Sequence, residues 1–429
     1  MSSAVPESDL IVGITAYLTT SPGVGGRIRQ RAEDFLVDEV WQASAASEGR
    51  YQLIKLTKTD TETHHAVREL SRRLQVSQRR ISWAGTKDKR AVTTQRMSID
   101  SLHLSGPLRF GTVVVEPIGR SDRPINLGDL DGNDFEVTIR ALKGPQIDLE
   151  SAIGRLFEEI HVAHGLPNFF GVQRFGSIRP VNHLVGRALV EGDAERAVMT
   201  YVGKLYPDEP EDAKRARQSV AETHDFKDAL KRMPIRLRYE RAMFNHLAKH
   251  PNDFCGALDA LSVNLQRLFV HAFQSYLFNK MLSRRLERGF SLTVGFDGDR
   301  VRTSDLQRVR TVVPKNMQAL NESLATGKGT IQMPVPGYDT ELSDGVVGQI
   351  EREVLASEGV DLDEFRIECC PRLASKGVMR DVLLPANVRF DVAADELEED
   401  HLKATFKFFL PKGGYATTVL REIMKTRLT

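Results

Sequence analysis

Only 3 cysteines occur in 429 residues, and two of them, Cys369 and Cys370, are adjacent. Adjacent cysteines are poor candidates for bridging each other. With Cys255 as the third, the chain has no paired disulfide framework and reads as a reduced, cytoplasmic protein. Zinc spacings are missing too, since there is no C-x-x-C pair and no H-E-x-x-H. No run approaches the ~20 apolar residues of a membrane-spanning helix, and MSSAVPESDL at the start lacks the basic region and apolar core of a signal peptide. Nucleotide and calcium loops also fail. LATGKGT (Leu324–Thr330) has neither the first glycine nor the Ser/Thr of a P-loop, and SPGVGGR (Ser21–Arg27) lacks the G-x-G-x-x-G spacing. In GDLDGND (Gly128–Asp134) the glycine comes too early for a calcium loop and the distal Glu is absent. Each reads as turn chemistry.

What is present is an ordinary globular composition, 41% hydrophobic and 27% charged, long enough for two or three domains with their own cores. Formal net charge is only +1, but it is unevenly distributed. Between His64 and Arg96 nine basic residues (Arg68, Arg72, Arg73, Arg79, Arg80, Lys87, Lys89, Arg90 and Arg96) face two acids, Glu69 and Asp88. The compensating acid lies in PDEPED (Pro207–Asp212) and ADELEED (Ala394–Asp400). Segregation of this kind is the footprint of a polyanion site; the plain alternative is a solvated helix face beside a charged loop.

Within that basic stretch, SWAGTKDKRAVTTQRMSI (Ser82–Ile99) reads as two short strands joined through Gly85 and a charged loop. One carboxylate, Asp88, sits between Lys87 and Lys89. Flanking ammonium groups favour its ionised form, which suits a group that acts as an anion and equally suits a surface charge cluster.

Along the chain, FLVDEV alternates with Phe35, Val37 and Glu39 on one side. YQLIKLTKT (Tyr51–Thr59) is a second strand. The helix that follows has Ala66, Val67, Leu70 and Leu74 on one face, Thr63 as its expected N-cap, and an outer face carrying Arg68, Arg72 and Arg73 toward Asp88. Strands recur at FGTVVVEPIG and NDFEVTIRAL. A further helix follows, with Asp148 as its expected cap. Beyond Pro167 the pattern turns mostly helical up to Gly289, and strands return at VRFDVAA and KATFKFFLP before a last turn and helix. The fold class is therefore α+β, with a mixed but mainly antiparallel sheet interrupted by a helix-rich α/β insertion.

Two further stretches stand out. LPNFFGVQRFG (Leu166–Gly176) packs Phe169, Phe170, Gln173, Arg174 and Phe175 between glycines, a composition that can stack on bases or plug a domain junction. DGNDFEV puts Asn133 and Phe135 on one side of a strand start, either as an amide-plus-ring clamp for a planar ligand or as a turn Asn before a core Phe.

Six blocks in order, RAEDFLVDE, GTKDKRAVTTQ, GNDF, NFFGVQRFG, FQSYLFN and LPKGGYATTVLRE, span Arg31 to Glu422. Together they resemble the TruD family of pseudouridine synthases. The resemblance implies a discontinuous catalytic domain of the pseudouridine synthase fold (1–165 and 376–429) and an inserted TRUD domain (166–375). It implies isomerisation of a uridine in tRNA, position 13 of the D-arm, without cofactor, metal or membrane. In that reading Asp88 carries the chemistry. Phe135 packs on the flipped uracil, where other pseudouridine synthases have tyrosine, and Asn133 holds the loop or contacts the base. Lys87 joins them as a substrate-binding residue, and Arg68, Arg72, Arg73, Lys89 and Arg90 meet RNA phosphates. Gln173, Arg174 and Phe175 lie next to the site. The competing readings are a non-catalytic RNA-binding protein or tRNA chaperone on the same fold, which has no use for Asp88 between two lysines, and a deaminase, which would need the absent zinc ligands.

Overall fold

A computed structural model of the chain describes residues 4–41, 46–303 and 308–427. The chain divides into two units. One takes Thr19–Leu166 and the C-terminal stretch from Leu384; the other takes Val5–Leu18 and Pro167–Leu383.

The first unit is built on a nine-stranded sheet. Its strands are β1 (Phe35–Val40), β2 (Tyr51–Thr59), β3 (Ile81–Trp83), β4 (Val92–Asp100), β5 (Leu108–Phe110), β6 (Val113–Ser121), β7 (Gly132–Leu142), β8 (Val388–Ala394) and β9 (Leu402–Pro411). They lie in the order β8-β9-β7-β1-β4-β2-β6-β5, with β3 added beside β4. The β1–β4 pair is parallel, and the other pairs of this sheet are antiparallel. One edge of β4 is shared: β1 pairs with Val92–Thr94 and β3 with Met97–Ile99. The connection between β3 and β4, residues 84–91, therefore leaves that edge where β1 takes it over, instead of making a tight hairpin turn.

Paired residues point to the same face, so the registers give the composition of each row. Lys58 lies opposite Thr93, Thr93 opposite Val37, Val37 opposite Phe135, and Phe135 opposite Phe408. In the next row Leu56 pairs with Gln95, and Glu39 with Asn133 and then Leu410. Helix α1 (Thr63–Arg73) covers one end of this face, burying Ala66, Val67 and Leu70 against Ile54, Leu56, Met97 and Val115. Helix α2 (Gln146–Val162) covers the other end, where Phe157 meets Phe390 and Phe406 edge-on. Each such apolar side chain contributes ~1.5–3 kcal/mol on burial. The 84–91 loop lies on this face beside the start of α1, meeting Lys58 of β2, Gln95 of β4, Glu39 of β1 and Asn133 of β7.

Two expected caps are corrected. The N-cap of α1 is Glu62, and Thr63 is already helical; its hydroxyl is engaged by the backbone of Lys87. The N-cap of α2 is Pro145, and Asp148 lies in the first turn, where its charge favours the helix dipole without capping it.

The second unit is mainly helical around Val263–Glu287, a 25-residue helix buried over most of its surface and capped by Ser262. It also holds an antiparallel sheet of Val309–Thr311, Arg300–Thr303, Gly329–Val335 and Val378–Asp381. Among its buried charges Arg285 pairs with Asp299, and Arg217 with Glu209 and Glu240. Leu324–Thr330 ends one helix and starts a strand, as expected for a plain turn. Among the described residues no helix is long and apolar enough to cross a membrane.

Candidate active site

The loop carrying Asp88 is pinned through its backbone by three side chains of the first unit. Gln95 donates to the Gly85 carbonyl at 2.9 Å. The Thr63 hydroxyl accepts from Lys87 N at 3.2 Å. Lys58, whose whole side chain is buried, donates to the Asp88 carbonyl at 2.6 Å and to that of Lys87 at 3.4 Å. Burial pulls the Lys58 ammonium down to about 8 from its ordinary 10.5, while the Asp88 and Glu62 carboxylates act in the opposite direction. A loop held by its backbone presents its side chains in fixed positions.

The cation at the Asp88 carboxylate is Arg29, with Nη2 3.0 Å from Oδ2. This corrects the expectation that the flanking lysines hold it. Lys89 is exposed, and Lys87 turns inward, where its Nζ meets Glu39 Oε2 at 2.9 Å and Asn133 Oδ1 at 2.6 Å. Asp88 keeps 37% of its side chain open, against 6% for Lys87 and 0% for Glu39. Arg29 reaches its position because the chain before β1 makes a bridge to β7, with Arg27 and Arg140 exchanging backbone hydrogen bonds of 2.9 and 2.8 Å. It then bends through Arg29 itself, at φ 57°, a left-handed conformation uncommon for a residue with a side chain. The guanidinium lies 4.2 Å from the centre of the Phe35 ring.

Phe35 meets Phe135 edge-on at 6.2 Å, and Phe135 stacks on Phe408 at 5.3 Å. Phe135 is 9% exposed, so the edge of an aromatic cluster is what it offers. At the start of β7, Gly132 approaches β9 so closely that a Cβ there would stand 2.2 Å from the Leu410 carbonyl oxygen. This explains the glycine of GNDF: it lets Asn133 and Phe135 enter the sheet beside β9.

Of the residues singled out from sequence, Asp88, Lys87, Asn133 and Phe135 come together on this face, and Lys89 and Arg90 are exposed on the same loop. The start of α1, through Thr63, adjoins the loop. Arg72 and Arg73 sit at the far end of the helix, about 14 Å further along its axis. Arg72 is exposed and pairs with Glu69 at 2.8 Å, Arg73 lies over Phe110, and Arg68 is hydrogen-bonded to His65. Arg80 and Arg96, from the same basic stretch, are structural. Arg80 donates to the carbonyls of Asp100 and Ser101, and Arg96 is buried against Trp41. In the second unit Gln173 is exposed, Arg174 bonds Ser275, and Phe175 is fully buried edge-on to His183.

Residues 11–423 match the family described as tRNA pseudouridine synthase D (TruD). The chain belongs to that family. It is 46% identical over 429 residues to the protein named tRNA pseudouridine synthase D of Methanosarcina mazei, covering 98% of each chain. It is 37% identical to the namesake of Thermococcus sibiricus, covering 95% and 97%. A crystal structure of the M. mazei TruD protein superposes with a TM-score of 0.86 at 45% identity, covering 98% of both chains. This TruD chain therefore carries the family's activity class, pseudouridine formation in tRNA, on the α+β scaffold described above. Within that scaffold, sequence reasoning passed over Arg29, Glu39 and Lys58. The alternation did hold a signal for two of them, since Glu39 continues the stripe of Phe35 and Val37, and Lys58 that of Ile54 and Leu56.

Proposed function

We propose that this chain converts uridine 13 in the D-arm of tRNA to pseudouridine, in the cytoplasm, with Asp88 as the group that acts on the nucleotide. The first unit serves as the catalytic domain and the second as the inserted TRUD domain. The observation that carries this reading is the state of Asp88: a partly open carboxylate on a loop fixed by its backbone, held by one cation, beside an aromatic edge and an amide. The reaction breaks the bond from ribose C1′ to N1 of uracil, turns the base, and forms the bond from C1′ to C5. C5 loses a proton and N1 gains one, so atoms balance without a cofactor. An ionised carboxylate serves either attack on C1′ or removal of the C2′ proton. The uridine leaves its stack to reach Asp88, at a cost of a few kcal/mol that backbone contacts offset; Lys89, Arg90, Arg68, Arg72 and Arg73 are the candidates for those contacts. Of Gln173, Arg174 and Phe175 in the inserted domain, Gln173 is exposed and is the candidate for RNA contact in this reading, whereas Arg174 is held at Ser275 and Phe175 is core.

The test uses unmodified tRNA transcripts labelled with tritium at uridine C5, because the new carbon–carbon bond expels that hydrogen. Wild type should release tritium, and Asp88→Asn should lose at least ~10⁴-fold of the rate, about 5.5 kcal/mol, while binding the transcript with nearly unchanged affinity. Tight binding without release by wild type would replace this reading with a non-catalytic RNA-binding one. Loss of affinity in Asp88→Asn would make Asp88 structural.

A further inference from the structure

We propose that Asn133 reads uracil through an amide whose orientation is set by the Glu39–Lys87 ion pair, so that only its NH₂ group is offered to the base. The inference rests on the reading above, that the surface beside Asp88 receives a uridine.

A lysine ammonium carries three donors and no acceptor. The atom of Asn133 at 2.6 Å from Lys87 Nζ is therefore its oxygen; a turned amide would set NH₂ against NH₃⁺. Lys87 cannot swing away to release it, because its ammonium is also 2.9 Å from Glu39, whose side chain is wholly buried. Glu39 is fixed in turn by the backbone N–H of Arg96 at 3.2 Å, and the backbone N–H of Lys87 by Thr63. The amide nitrogen of Asn133 then points away from Lys87. Among the described residues it has no hydrogen-bond partner, and it is not among the buried unpaired atoms, so it reaches solvent. Asn133 stands two residues before Phe135 on the same side of β7, so donor and aromatic edge face the same space.

Uracil suits a fixed donor in a particular way. Its carbonyl oxygens O2 and O4 are related by the axis through N3 and C6. Turning the base about that axis brings C5 to the place of N1, and it also exchanges O2 with O4. An immobile NH₂ group that meets one carbonyl before the turn meets the other after it. Cytosine carries an amine at C4, so in one of the two orientations donor faces donor. A site built to bond one polar group rejects an analogue lacking it by large factors.

The experiment compares wild type with Asn133→Asp, an isosteric change that keeps an oxygen for Lys87 but removes both donors. C5-tritium release from tRNA transcripts gives kcat/KM. Competition by a transcript with cytidine at the modified position gives the preference for uridine over cytidine. The expected result is a loss of ~100-fold or more in kcat/KM, together with a reversed preference, since the carboxylate accepts from the cytosine amine. The thermal midpoint should stay within a few degrees. Turnover within about threefold of wild type would overturn the proposal, leaving Asn133 as a support for Lys87. So would reduced turnover with the preference unchanged. Should Asn133→Asp fail to fold, Asn133→Ala is read by the same preference, which must fall toward parity. Absence of release by wild type would defeat the functional reading itself and this one with it, whereas wild-type release with an unchanged preference in the variants defeats this one alone.

Discussion

Two arginines of the first unit meet their carboxylates in opposite ways. Arg140, 2% exposed, spends each arm of its guanidinium: Nε on Asp34 at 2.8 Å, Nη1 on Asp395 at 2.6 Å and Nη2 on Glu396 at 2.9 Å. Burial alone would raise the Asp395 carboxyl, but the N–H groups of Ala141 and Leu397 and the guanidinium outweigh it and hold it below the ordinary carboxylate range. Among the described residues Arg29 makes one ion pair, to Asp88, and leaves Nε without a partner, and it holds a left-handed backbone. The two lie close in the structure, because Arg27 bridges to Arg140 two residues before Arg29. A saturated network stabilises the chain and has nothing left for a ligand. An unsaturated pair on a strained backbone is upheld by its surroundings and retains hydrogen-bonding capacity for something else.

The largest effect that separates the two should come from the saturated one. Arg140→Met leaves Asp395 buried without its cation and Asp34 with only the more distant Arg31, at 3.8 Å, and breaking a buried ion pair from one side costs about 3–5 kcal/mol. The expected result in urea unfolding is a loss of that size, with tritium release per folded molecule close to wild type. A fall in turnover by the folded fraction, without loss of stability, would erase the distinction. Arg29→Met should show the reverse. Its thioether still packs on Phe35, so the midpoint should move little. The carboxylate loses its cation, and kcat should fall ~100-fold, or about 2.7 kcal/mol. Near-normal kcat would place Arg29 with Arg140 as scaffold.

The same contrast explains how much could be read in advance. Alternation located β1, β2, β4, β6 and β7, and the loop with Asp88, because those signals are local. The paired faces of the sheet were not legible, since they depend on β1 lying parallel to β4, between β4 and β7. Arg29 escaped notice for a related reason. Its partner lies 59 positions away, and it is reached through a bend that no periodic pattern announces. Lys87 and Lys89 were judged by sequence adjacency, but the buried carboxylate of Glu39 on the next strand claims Lys87. The Thr63 cap failed because its hydroxyl had a better partner, serving the Asp88 loop instead of its own helix. A charge at the end of an apolar stripe, as at Glu39 and Lys58, was the available clue to the hidden part of the site.

The smallest effect should come from a third kind of arginine, exposed and at best pairing with a neighbouring side chain. Arg72 and Arg73 end α1, remote from Asp88 along the helix axis, and the Arg72–Glu69 pair is a surface contact worth little to stability. Replacing both with glutamine should leave unfolding and kcat nearly unchanged. Each phosphate that is no longer neutralised should reduce the slope of log affinity against log salt by about 0.7–0.9, so the double variant should flatten it by between one and two and weaken binding several-fold at low salt. An unchanged slope would remove this end of the helix from the RNA face. It would leave Lys89 and Arg90, on the loop that Lys58 and Thr63 hold in place, as the cations nearest the reacting nucleotide.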